Sequence, residues 1–210
     1  DVRQLVLDLA HKTSPKLTWL QRWRHAPVPR PMASQRPALA LLASRDNHRH
    51  FDDIERLYRI AIRSARQRVV IANAYFFPGY RLLRELIQAA RRGVRVQLIL
   101  QGNPDMPPVR FITQTLYGRL ARAGVEIHEY CARPIHAKVA VIDGHWATVG
   151  SSNLDPLSLA FNLEANVFVA DPDFAGVLLQ KLEGLIEHSC ERLDTEALRN
   201  PSWWGLLLGF

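Results

Sequence analysis

Apolar positions recur along this chain with two periods, and the alternation between them predicts its elements. Phe51 to Arg66 has the helical period: Asp52 and Asp53 lie in a first turn, and Ile54, Leu57, Tyr58, Ala61 and Ala65 share one face. Leu82 to Arg92 repeats it, closed by Gly93, with Arg91 and Arg92 at the negative end of the helix. Val109 to Ala123 is a third case, with Ile112, Leu116 and Leu120 inward and Gly124 as the cap. Short apolar or β-branched runs stand between them at Ala38–Ala43, Arg68–Ala74, Val94–Leu100 and Val125–Tyr130, too short for helices and suited to buried strands. Two successive units of helix, glycine, valine and strand predict right-handed crossovers onto one sheet. Asp173 to Cys190 closes the set as a last packing helix.

The flanks read differently. Residues 1–25 carry spaced apolar positions (Leu5, Leu9, Trp19, Leu20, Trp23) that predict one or two helical pieces. The chain opens on Asp1 rather than Met, and this segment is expected to be the helical tail of a preceding lobe. Pro27, Pro29, Pro31 and Pro37 then make residues 26–37 an extended linker. That leaves one lobe over residues 38–192 and an apolar tail over 193–210. In the tail, Trp203 and Trp204 beside Leu206–Leu208 suit an interfacial anchor, with packing on the lobe as the alternative.

Chemistry concentrates in residues 135–168. Ile135 to Ile142 predicts a strand on which His136 and Lys138, two apart, share a face. Asp143-Gly144 is a strong hairpin signal, and Trp146–Val149 can return as the next strand to Gly150, where the missing side chain lets backbone approach a ligand. Ser151 and Asn153 are then expected to face the same spot. A neutral imidazole can attack phosphorus, while a lysine ammonium and an asparagine amide supply donors to the non-bridging oxygens. Glu164, on a predicted strand from Glu164 to Val169, is placed by sequence order to hold one nitrogen of His136. Asp143 has two readings, turn residue and direct participant. No carboxylate cluster or Cys/His set has metal-ligand spacing nearby, so neither metal nor cofactor is expected.

Composition changes the picture in few places. Across 210 residues the net charge is +7, which suits an anionic partner, either nucleic acid or an acidic membrane face. Only four of the 27 basic residues are lysine, and Lys138 is one of them, where a compact ammonium is required. The two cysteines give no disulfide framework and fit a reducing compartment. No signal-peptide pattern is visible, and no run approaches the length of a transmembrane helix.

At His136, Lys138 and Asp143 (H-x-K-x4-D) the chain resembles the phospholipase D superfamily. The continuation Gly150-Ser-Ser-Asn-Leu-Asp-Pro-Leu-Ser-Leu is similar to bacterial cardiolipin synthases, nearest to those of the B type. The resemblance covers most of residues 38–204. It implies a phospholipase D-like α-β-α sandwich lobe, α/β in class, with a mixed, mostly parallel sheet flanked by helices. It also implies His136 as nucleophile through a phosphohistidine, Lys138 and Asn153 (with Ser151) as phosphate ligands, and Glu164 as support of the histidine. The aromatic run Tyr75, Phe76, Phe77 reads equally as core or as pocket wall, and the resemblance favours a wall facing acyl chain or headgroup. Implied partners are phospholipid substrates, an anionic membrane met at its cytoplasmic face, and a second motif, since this one occurs once. A preceding lobe is favoured over a homodimer for that second motif. A nuclease or phosphodiesterase acting on nucleic acid is the runner-up, and a catalytically incomplete lobe the third reading. Asp155-Pro-Leu-Ser158 and the aromatic run favour lipid over nucleic acid.

Overall fold

The computed structural model describes residues 38–46, 49–102 and 107–194. Their elements run β1 (Leu39–Arg45), α1 (Asp53–Ser64), β2 (Arg68–Asn73), α2 (Tyr80–Arg91), β3 (Arg95–Gln101), α3 (Pro107–Arg122) and β4 (Glu126–Tyr130). Then follow β5 (Lys138–Ile142), β6 (Trp146–Gly150), α4 (Pro156–Ala160), β7 (Glu164–Ala170), α5 (Pro172–Ser189) and β8 (Cys190–Arg192). The readings made for residues 1–37, and for the tail from residue 195 onward, lie outside the described residues.

All eight strands join one sheet in the order β1-β7-β6-β5-β2-β3-β4-β8. The two helix-glycine-valine units behave as expected: β2, β3 and β4 are parallel neighbours, because α2 and α3 carry the chain back to the same starting edge. Gly93 and Gly124 end those helices at φ of 88° and 93°, a left-handed conformation that favours glycine. The sheet is mixed, but the expectation that it would be mostly parallel is wrong. The pairs β1–β7, β7–β6, β6–β5, β5–β2 and β4–β8 are all antiparallel. Tight reversals such as Asp143-Gly144 can only join antiparallel strands, and β1 is paired by a strand more than a hundred residues away, which local pattern does not reveal.

Helices cover both faces. Along β2, Val69 and Ile71 point into a core shared with Ile54 and Ile62 of α1, Leu82 and Leu86 of α2 and Leu120 of α3. Val70 and Ala72 point the other way, onto Ala175 and Leu182 of α5. Burying a side chain such as Leu86, fully enclosed here, contributes about 1.5–3 kcal/mol. Tyr58, Trp146 and Phe168 pack as an aromatic trio, with centroids 5.3–6.3 Å apart, and tie α1 to the β6–β7 part of the sheet. The sandwich therefore fixes β5, β6 and β7 side by side with β2, and the candidate chemistry sits at one end of those four strands.

Candidate active site

The hairpin forms as the Asp-Gly signal predicts. Asp143 and Gly144 both take positive φ, 51° and 68°, and the His145 amide donates to the Ile142 carbonyl at 3.2 Å. Asp143 does not join the chemistry. It stands five residues along the strand from Lys138, roughly 16 Å at ordinary strand rise. Its carboxylate instead accepts the backbone amides of Arg66, Gln67 and Arg68 at 2.8–2.9 Å. Partial burial alone would raise its pKa, but these three donors outweigh that and hold the carboxyl below its usual range. Of the two readings of this residue, the geometry supports the turn. Asp143→Ala should therefore cost about 2–3 kcal/mol of stability in urea titrations, with Asp143→Asn milder because it keeps an acceptor and tolerates positive φ. The sign with pH follows: a depressed carboxyl contributes stability above its unfolded pKa and loses it as pH falls through the folded one. Acid unfolding should thus be shallower in Asp143→Asn.

At the opposite end, β5 begins at Lys138, three residues later than the run predicted. Pairing continues one step further, since the Ala74 amide donates to the Ala137 carbonyl at 3.0 Å. His136 therefore lies on an extended lead-in, exposed, while Lys138 is buried. The Lys138 ammonium lies 3.4 Å from His136 Nδ1 and 3.3 Å from Nε2. Near-equal distances put it over the ring face rather than along either nitrogen's lone pair, so the ring edge stays open to a substrate. Burial lowers the lysine pKa, and the nearby Glu164 and Asp155 carboxylates pull it partly back.

Glu164 and Ser151 meet, though not as expected. The Ser151 hydroxyl donates to Glu164 Oε2 and accepts the Ala165 amide at 3.0 Å. Its single proton is thereby committed to the carboxylate, and the phosphate-ligand role expected of Ser151 does not fit this geometry. Glu164 is buried and also receives Asn162 Nδ2 at 3.5 Å. Its link to the histidine is indirect, through the electrostatic attraction to Lys138 rather than a hydrogen bond. Gly150 is required for a different reason than ligand access. A Cβ there would overlap the Asn166 side chain and stand 2.6 Å from the Ala165 carbonyl. That side chain, fully buried, accepts the Ser152 amide at 3.3 Å and shapes the turn leading to Asn153.

Two site residues were missed in the sequence. Asn73, fully buried at the end of β2, is the ladder partner of Lys138, and its Oδ1 accepts the Leu154 amide at 3.2 Å. It ties the Asn153 turn to the strand bearing the lysine, and its Nδ2 finds no partner among the described residues. The Asn153 Oδ1 is likewise buried and unpartnered. Arg45, buried opposite Glu164 in the β1–β7 ladder, donates to the Asn162 carbonyl at 2.6 Å. The available signal was polarity: an asparagine and an arginine each close a mainly apolar strand.

The aromatic run divides between the two readings given to it. Phe76 belongs to the core at 1% exposure and cannot be pocket wall; its carbonyl accepts Thr113 Oγ1 at 3.1 Å. Tyr75 is half-buried, and Phe77 is exposed beside the turn, its amide donating to Leu154 at 2.8 Å. Alternation along the extended chain forces this split, since neighbours point to opposite sides. Together, an accessible imidazole, a buried ammonium over it and an asparagine turn form a donor set that can meet a phosphodiester.

Residues 58–186 match the family described as Cardiolipin synthase, PLD-like domain. Cardiolipin synthase B of Escherichia coli K12 is 49% identical over 206 residues, 98% of this chain and 49% of that protein. The chain thus spans about half the length of the curated relatives it matches. In fold it is similar to NUC from Salmonella typhimurium, a phospholipase D family member, with a TM-score of 0.63 at 19% identity over 75% of this chain and 99% of that one. Phosphatidylserine synthase of Haemophilus influenzae Rd KW20 gives 0.59 at 14% identity, over 78% of this chain and 42% of that one. The matched span contains His136, Lys138, Asn153 and Glu164 together with both flanking strands, and the chain belongs to the cardiolipin synthase PLD-like domain family.

Proposed function

We propose that this chain supplies one of two histidine motifs of a phosphatidyltransferase that joins phospholipid headgroups to make cardiolipin. The observation that carries this reading is the His136–Lys138 pair, an imidazole with an open edge under a buried ammonium. A ring nitrogen of His136 attacks phosphorus, the N–P bond forms, and the bond to the departing alcohol breaks. Lys138 and the Asn153 amide stabilise the charge on the non-bridging oxygens. An acceptor alcohol then attacks the phosphohistidine and leaves with the phosphatidyl group. Both halves need a group that protonates the leaving oxygen and later deprotonates the incoming one. The H-x-K pattern occurs once in this sequence, so a second motif provides that group, from another lobe or from a second copy of the chain across a two-fold axis. The lobe arrangement is favoured by relatives twice this length.

Glu164 works through Lys138 on this reading: it keeps the ammonium charged despite burial. Glu164→Gln removes that pull, so the alkaline limb of the pH–rate profile should move to lower pH while the fold survives. An unmoved limb would reduce Glu164 to a packing residue. Peripheral attachment to an anionic bilayer fits the substrate, and no helix among the described residues is long and apolar enough to cross one. The experiment that tests the function supplies the complete two-motif enzyme with phosphatidylglycerol vesicles and, separately, with plasmid DNA. Cardiolipin formation without DNA cleavage supports the proposal. DNA cleavage without lipid transfer replaces it with the nuclease reading that the net charge of +7 allows.

A further inference from the structure

Away from the histidine, α2 and α3 flank a cleft of about 300 Å³ whose lining includes Tyr80, Arg84, Ile87, Arg91, Arg119 and Arg122. On α2 the lining residues Tyr80, Arg84, Ile87 with Gln88, and Arg91 recur every three or four positions, which is one continuous helix face. Four exposed guanidinium groups line one recess, a concentration of positive charge that favours an anionic ligand. The nearest carboxylate does little to relieve this. Glu85 lies 3.8 Å from Arg84, but it is buried and bound to Arg63 at 2.5 Å, outside the cleft. Among the described residues, Arg91, Arg119 and Arg122 meet no carboxylate at all. Arg119 rests instead 5.8 Å above the Tyr80 ring, a cation–π contact that leaves its N–H groups available.

We infer that this cleft is a docking site for the phosphate of an anionic membrane lipid that is bound but not turned over. The planar guanidinium offers paired donors to phosphate oxygens, and about 300 Å³ accommodates a phosphate headgroup. Tyr80, 65% exposed, is the first residue of α2 and brings to the cleft an amphipathic ring of the kind that favours the headgroup region. Arginines beside it suit the phosphate level of a leaflet. This rests on the reading that the enzyme works on phospholipid. Its consequence is that the protein is held at the bilayer by a lipid other than the one reacting.

The test is co-sedimentation of the full chain with vesicles of phosphatidylcholine alone and of phosphatidylcholine with phosphatidylglycerol. The Arg119→Gln/Arg122→Gln variant should lose at least about tenfold in affinity for the phosphatidylglycerol vesicles. Arg56→Gln/Arg66→Gln removes the same charge from exposed positions elsewhere and should lose much less. An equal loss in both variants, or none in the first, overturns the site. Hydrolysis of a water-soluble phosphodiester by the complete enzyme, measured alongside, should be unchanged in the Arg119→Gln/Arg122→Gln variant. Vesicle binding that fails in this selective way while the enzyme proves inactive on lipid would remove the proposed function and leave the docking site standing.

Discussion

Replacing His136 with alanine should lower phosphatidyl transfer by the complete enzyme at least about 10^4-fold, because the second motif's group is committed to acid–base work and cannot also take the covalent step. The loss should fall on the rate and not on folding. His136 is exposed, and the contact recorded for its ring is with the Lys138 ammonium, so its removal opens no cavity. Thermal unfolding of His136→Ala should match the wild type within about 0.5 kcal/mol, if anything on the stable side because Lys138 gains solvent. Small loss of activity in a folded variant would mean that the nucleophile lies elsewhere.

Lys138→Ala should cost the next largest factor, about 10^2–10^3 in rate, on the scale of a lost donor to a developing oxyanion. Its pH dependence separates it from the histidine. Burial holds the Lys138 pKa below the ordinary lysine range, with Glu164 and Asp155 offsetting part of the shift. As pH rises through that lowered value, the ammonium loses its proton and transition-state stabilisation goes with it. The rate should therefore fall at a lower pH than an exposed lysine would dictate. Lys138→Arg keeps the charge at every accessible pH and should lift the alkaline limb out of range, at a reduced plateau because a planar guanidinium does not reproduce the point charge. If Lys138→Arg leaves the limb in place, another group titrates there. The same burial has a cost in the fold: below the folded pKa the charged form destabilises the protein, and this relaxes as pH climbs toward the unfolded value.

How much of this was legible in the sequence depended on how local its cause was. The hairpin was legible because Asp143 and Gly144 are adjacent and only positive φ at both suits a two-residue reversal. The crossovers through α2 and α3 were legible because each ends in a glycine followed by a strand starting with valine or its neighbour. Strand direction across the rest of the sheet was not, since β1 against β7 and β4 against β8 are chosen by the packed core. Helix α4, five residues long, and β8, three residues long, are too short for periodicity to register. Within the site, His136 and Lys138 were readable as a pair two residues apart. Asn73 and Arg45 were not, because their places beside Lys138 and Glu164 depend on register between distant strands. Ser151 was misplaced for a related reason: a hydroxyl's role follows from its nearest acceptor, here Glu164, which sequence spacing does not specify.

The central claim is that His136 forms a covalent bond to phosphorus, and the most direct measurement is mass spectrometry of the complete enzyme during turnover. The sample would be quenched in alkaline denaturant, which preserves an N–P bond that acid would break, and digested for peptide mapping. A phosphatidyl adduct, or the glycerophosphoryl adduct left when alkali removes its acyl chains, is expected on the peptide containing His136, absent in His136→Ala and accumulating when the acceptor alcohol is withheld. An enzyme that turns over at full rate while its adduct maps to any other residue, or to none, would contradict it.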